Sequence, residues 1–246
     1  MTFRLFEGKD HASIYHKYRL TPPEEVKNII LQYVDKKKGR PHVLAVDLGC
    51  GTGQNSQVLA PHFQEVVGID ISECQLAVAR AVPGYPNITY RKGTAEDLPF
   101  PDGSVDLLTA ASAAHWFDQS RFLTEDCGER LNHIFQEVRQ ILLPYTSSPV
   151  AAANGKLEEL YSAIPFPDKE RIECIQVNSS VSVRNLVGFI ESWSMFQVYK
   201  VRDPQAAEDL LLTTQKRFLE EMGVTSPDTE IKHHLEYFCV LASKPQ

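Results

Sequence analysis

Residues 42–59 read HVLAVDLGCGTGQNSQVL, and this stretch constrains the chain more than any other. An apolar run ends in Asp47, and glycines then stand at 49, 51 and 53. Strand-type residues, then glycines at alternate positions, then a helical pattern form a strand–loop–helix unit whose backbone must come close to a ligand. A chain that opens its sheet this way is committed to an α/β architecture.

The pattern downstream agrees. A helix is predicted over 22–35, with proline and acids in its first turn. Strands follow at 42–48, 65–70, 87–93 and 105–112, with short helices at 55–63 and 72–82 between them. This alternation is that of a doubly wound, mostly parallel, Rossmann-like sheet. Ligands then bind beyond the carboxyl ends of the strands, where the glycine loop lies. Further on, the spacing predicts helices over 119–143, 156–163, 183–196 and 204–223, and strands over 171–177 and 230–243. The last two make an antiparallel C-terminal pair. The 119–143 helix is expected to bury a stripe of Phe122, Leu131, Ile134, Phe135, Val138, Ile141 and Leu142.

Two cofactor classes compete for the loop. A dinucleotide fingerprint needs its third glycine three places after the second, where this chain has Gln54. Asp47 also stands at the strand tip, where it would repel a pyrophosphate but suits a cationic group. S-adenosylmethionine carries no phosphate, and bears an ammonium and a sulfonium. Asp70, at the end of the second strand, is placed to accept from both ribose hydroxyls. That residue alone does not decide, because nicotinamide enzymes use an acid at a similar place. GTAEDLPF ends the third strand, where backbone N–H groups and a carboxylate are placed to read adenine. Singly, each feature also reads as a turn, a helix start or a solvated acid. Their occurrence together, each at a carboxyl end, favours S-adenosylmethionine.

VDLGCGTG, VVGIDIS, GTAEDLPFPDGSVDLL and AAHWFD together resemble the class I S-adenosylmethionine-dependent methyltransferases. Within these the chain is similar to the methyltransferase type 11 family and the small-molecule group related to trans-aconitate methyltransferase. The resemblance implies that Asp47, Leu48, Gly49, Cys50, Gly51, Thr52 and Gly53 meet the methionine part. It likewise implies Asp70 and Ile71 at the ribose, Thr94, Ala95 and Glu96 at the adenine, and Ala111 lining the cofactor. Thr94 departs from the family's usual acid at that position. His115 and Trp116 are implied near the transfer site, and Tyr15, Tyr18 and Arg19, from YHKYR, in an N-terminal lid.

A carboxylate acceptor would need no base, only an arginine clamp, for which Arg19 and Arg121 are candidates. A hydroxyl or amine acceptor would use His115 as proton acceptor. The plainer readings are a packed histidine at 115, core tryptophans at 116 and 193, and a surface-docked helix around Tyr15 and Tyr18.

The family pattern continues with a turn of the K-P-G-G kind and a fifth, apolar strand. Here HWFDQSRFLTEDCGERLNHIFQEVRQILLPYTSSPVAAANG holds neither. A segment of about 20–30 residues, by usual element lengths, is therefore expected to be missing between Glu125 and Gly128, with a fifth strand absent. The chain reads as one domain over 1–246: a lid to 40, a cofactor-binding half over 41–125 and a substrate-shaping half over 126–246.

Composition narrows the rest. The formal net charge is -7 and the one basic run is KKKGR at 36–40, which argues against nucleic acid. No stretch approaches the ~20 apolar residues of a membrane span. Five cysteines, none in a C-x-x-C pair, predict no metal site and a reducing, cytoplasmic setting. A monomer or weak dimer is expected. The competing readings are a non-catalytic chain lacking a complete sheet, a nicotinamide-dependent oxidoreductase, and a protein or nucleic-acid methyltransferase.

Overall fold

The computed structural model describes residues 6–94, 98–111, 128–146 and 158–244. The chain forms two compact units, residues 1–113 and 114–246.

The N-terminal unit begins with helices α1, Lys9–Tyr18, and α2, Glu24–Lys38. Glu24 and Glu25 open α2 and Lys36, Lys37 and Lys38 close it, each sign matching the helix dipole. The chain then alternates: β1, Leu44–Leu48; α3, Gln54–Leu59; β2, Glu65–Asp70; α4, Glu73–Ala81; β3, Ile88–Lys92; β4, Leu107–Thr109. All pairings are parallel, in the order β3-β2-β1-β4.

A parallel sheet buries both faces, so its central strands are apolar throughout. Ala45 and Val66 pack on one side with Leu59, Ala60 and Phe63. Val46, Val67 and Ile69 pack on the other, with Leu98, Phe100 and Val105 against them. Val46, Val66 and Val67 are each 0% exposed, and such burial stabilises by about 1.5–3 kcal/mol per side chain.

β4 is shorter than the predicted 105–112, with Asp106 just before it and Thr109 as its last residue. The Asp106 carboxylate accepts from the Val43 and Leu44 N–H groups at the start of β1, and Thr109 bonds Asp47. Among the described residues β1 is the one strand paired with β4. The described residues from 128 to 146 are helix and a 3-10 turn. The expected junction between Glu125 and Gly128 lies outside the described residues.

The C-terminal unit contains α5, Gly128–Leu142; α6, Glu158–Ala163; β5, Asp168–Ser182; α7, Val183–Glu191; α8, Ser194–Arg202; α9, Pro204–Glu221; and β6, Glu230–Ser243. β5 and β6 pair antiparallel as a two-stranded sheet. The expected stripe of α5 is buried at Leu131, Ile134, Phe135, Val138 and Leu142, but Ile141 is 47% exposed. Phe122 lies outside the described residues.

Two boundaries differ from expectation. The helix predicted over 183–196 breaks, because Ser192 Oγ donates to the Phe189 carbonyl at 2.6 Å and Trp193 turns extended. Trp193 is 4% exposed and packs edge-on against Phe135 and Phe189, as a core residue. β5 extends well past 171–177, because a bulge between Ile172 and Ile175 lets the ladder continue. Among the described residues no helix is long and apolar enough to cross a membrane.

Candidate active site

Parallel strands bring their carboxyl ends to one edge, and most of the expected cofactor residues gather there. The loop after β1 holds Gly49, Gly51 and Gly53 at φ values of 61°, 54° and 87°. Cys50 N donates to the Ile69 carbonyl and Gly53 N to the Cys50 carbonyl, which folds the loop tightly over the end of β2. Cys50 is buried, and burial first, then Asp47 and Asp70, pushes its thiol far up.

Asp70 ends β2. Its Oδ2 accepts the Gly51 N–H at 2.8 Å, and its Oδ1 accepts the Ser72 N–H at 2.8 Å. Ile71, next to it, is 62% exposed. Thr94 lies just past β3 and Ala111 just past β4, both exposed. Ala95 and Glu96 lie outside the described residues, as do His115, Trp116 and Arg121.

Asp47 is placed otherwise than expected. It is 1% exposed. Its Oδ1 accepts from Asn55 Nδ2 at 2.7 Å and Thr109 Oγ1 at 2.9 Å, and its Oδ2 from Ser56 Oγ at 2.7 Å. Burial raises its pKa above the ordinary carboxylate value, against the three donors that lower it. The carboxylate that the sequence directs at a cationic ligand ties α3 to β1 and β4.

The N-terminal segment is fastened across the β2–α4 corner. Ser72 Oγ donates to the Phe6 carbonyl at 2.7 Å, and Cys74 Sγ to the Glu7 carbonyl. Phe6 stacks on His11 and meets Tyr15 edge-on. Tyr15 Cε1 lies 3.8 Å from where a Gly51 Cβ would stand. The Arg19 guanidinium lies 4.6 Å from the centre of the Tyr15 ring. Burial pulls Arg19 down from its ordinary pKa and pushes Tyr15 up. Tyr18 carries the Lys17 ammonium over its ring.

Sequence reasoning misses several residues here. Asn55, Ser56 and Thr109 give no motif signal. Tyr90, on β3, lies over Gly68 and against Gly53: a Cβ on Gly53 would stand 2.2 Å from its Oη. Burial, then Cys50 and Asp47, pushes the Tyr90 hydroxyl up to about 12. Gln75, on α4, is 2% exposed, with both amide atoms buried and without a hydrogen-bond partner among the described residues. Its signal is a polar residue on the buried face of an amphipathic helix.

Among the described residues no three metal-ligating side chains stand together. The four described cysteines are free thiols.

A family model described as a methyltransferase domain matches residues 46–144. A protein of Dictyostelium discoideum named as a methyltransferase is 26% identical over 88% of this chain and 86% of its own length. The trans-aconitate 2-methyltransferase of Deinococcus radiodurans is 35% identical over 44% of this chain, which spans only 40% of that enzyme. A solved type II methyltransferase structure from Anaeromyxobacter dehalogenans shares the fold over 97% of both chains, with a TM-score of 0.57 and 19% identity. With the glycine loop and Asp70 at the carboxyl edge of a parallel sheet, residues 46–144 match the methyltransferase-domain family model, and the chain is similar to S-adenosylmethionine-dependent methyltransferases in sequence and to a methyltransferase in fold.

Proposed function

We propose that this chain methylates a small-molecule acceptor, and that the acceptor group is a carboxylate. One observation carries the reading. Arg19 is 8% exposed, and its guanidinium lies on the ring of Tyr15, which itself covers Gly51. A desolvated guanidinium on the ring that covers Gly51 is suited to orient a carboxylate through paired, charge-assisted hydrogen bonds. The likeness to a trans-aconitate 2-methyltransferase agrees with this choice, and the net charge of -7 disfavours a nucleic-acid acceptor.

The residues present fit the cofactor. Among the described residues nothing stands within 4 Å of a Cβ built on Gly49, so these leave room on that side of the loop. Asp70 retains lone pairs for a ribose diol beyond the two N–H groups it already accepts. Ile71 offers an exposed apolar surface beside it for an adenine face.

S-adenosylmethionine supplies a methyl group already activated on sulfur. The chain's task is then alignment and exclusion of water. A carboxylate is ionised at neutral pH, so no general base is needed. The Tyr15–Arg19 cover holds the acceptor and shields the loop from solvent. Asp47 contributes by holding α3, and with it the loop's exit, in place.

The test is incubation with methyl-labelled cofactor and a panel of di- and tricarboxylic acids, amines and phenols. Label released as methanol by mild alkali identifies a methyl ester and supports the proposal. Label that resists alkali, or that appears on amines alone, overturns the carboxylate assignment.

A further inference from the structure

Gln75 sits in the first turn of α4, where its backbone N–H donates to the Ser72 cap at 3.3 Å. The cap fixes the start of the helix, and so the direction in which the side chain leaves it. Its Oε1 lies 3.6 Å from where a Gly51 Cβ would stand. The Gly51 N–H is held by Asp70, and Tyr15 covers the same glycine. Asp70, Gln75 and Tyr15 thus gather around Gly51.

There the Gln75 amide has, among the described residues, neither its donor nor its acceptor satisfied, although both are buried. Buried polar groups are nearly always paired, and an unpaired amide is a standing cost to the fold. The next buried positions of α4 are Leu76 and Ala79, so an apolar residue would suit the helix face better. An amide kept there has a use when a ligand is present. A hydroxyl both donates and accepts, so it satisfies either end of the amide.

We infer that Gln75 works with Asp70 to read the cofactor's ribose: one hydroxyl donates to the Asp70 carboxylate while accepting from the Gln75 Nε2 amide. This deepens the methyltransferase reading and rests on it. Gln75 is then a specificity residue, separating a ribonucleoside cofactor from its deoxy forms.

The experiment is calorimetry on the full chain with S-adenosylhomocysteine and its 2′-deoxy and 3′-deoxy analogues, comparing wild type with Gln75→Leu. Gln75→Met, close in volume, runs beside it in case leucine disturbs packing. Unliganded melting temperatures are taken for all three proteins. Melting of the variants at or above wild type is expected, with S-adenosylhomocysteine bound roughly five- to tenfold more weakly. That loss should vanish for one of the two deoxy analogues. Wild-type affinity in a variant that melts normally overturns the inference, as does an equal loss for all three ligands. Wild type that binds no S-adenosylhomocysteine overturns the cofactor reading itself, and is recognised without any variant.

Discussion

Asp70 Oδ2 accepts the Gly51 N–H at 2.8 Å, across the join between the end of β2 and the glycine loop. The residue expected to hold the ribose therefore also holds the loop in shape. Asp70→Asn keeps one acceptor oxygen and turns an amino group toward the other N–H. We predict faster hydrogen exchange at the Gly51 amide and an affinity for S-adenosylhomocysteine lowered about 10–100-fold, the scale of a charged hydrogen bond. Unchanged protection at Gly51 would show that the loop stands without Asp70.

Asp47 predicts a stability effect. Removing its carboxylate in Asp47→Ala leaves Asn55, Ser56 and Thr109 without their shared acceptor. The expected loss is about 2–4 kcal/mol, as for breaking a buried polar network. Thr109→Val, which removes one donor and keeps the shape, should cost about 1 kcal/mol. Urea unfolding measures both, and a Thr109→Val midpoint equal to wild type would detach β4 from the network.

Tyr90 sets the cost of adding a side chain to two glycines. A Cβ on Gly68 would stand 2.7 Å from Tyr90 Cδ1 and 2.9 Å from Cys50 Sγ. One on Gly53 would meet Tyr90 Oη at 2.2 Å, at a φ of 87°. Gly68→Ala should regain much of its lost stability when combined with Tyr90→Leu, giving a coupling of about 1 kcal/mol or more. Gly53→Ala should regain less, because about 1–2 kcal/mol of left-handed backbone strain stays. Additive costs at Gly68 would contradict the close approach.

Asp106 gives a pH dependence. Burial pushes its carboxyl up, but the Lys38 ammonium and the Val43 and Leu44 N–H groups outweigh that and hold it below its ordinary value. A carboxyl depressed in the folded state adds stability above its unfolded pKa and loses it as pH falls through its folded one. Wild type should therefore lose stability as pH drops below about 4, and Asp106→Asn should lose less over that range. Parallel curves for the two proteins would remove Asp106 from the acid response.

Much of the site was legible in the sequence because it rests on local rules. Alternating glycines after an apolar run predict a loop in left-handed conformation, and all three have positive φ. Strand 65–70 and strand 230–243 match the structure residue for residue, because both are β-rich runs bounded by turn residues. Asp70 was legible as a strand end and position 72 as a helix start, and Ser72 caps α4. Parallel strands then bring the glycine loop, Asp70, Thr94 and Ala111 to one edge.

The roles of individual side chains came from contacts that sequence spacing does not encode. Asp47 and Thr109 lie 62 positions apart and become neighbours because the β1–β4 register pairs them. That pairing, with Asn55 and Ser56 from α3, turns a carboxylate read as a ligand group into a buried tie. Tyr90 reaches Gly53 by lying across Gly68, with which it is paired in the β2–β3 register. Gln75 and Tyr15 meet around Gly51 because α1 packs against α4. Hydrophobic period and turn chemistry act over a few residues, so the sequence alone determined the elements and the kind of loop. Which polar group is spent inside the protein, and which is left for a ligand, depends on strand register and on the docking of the N-terminal segment, and only the tertiary structure decided it.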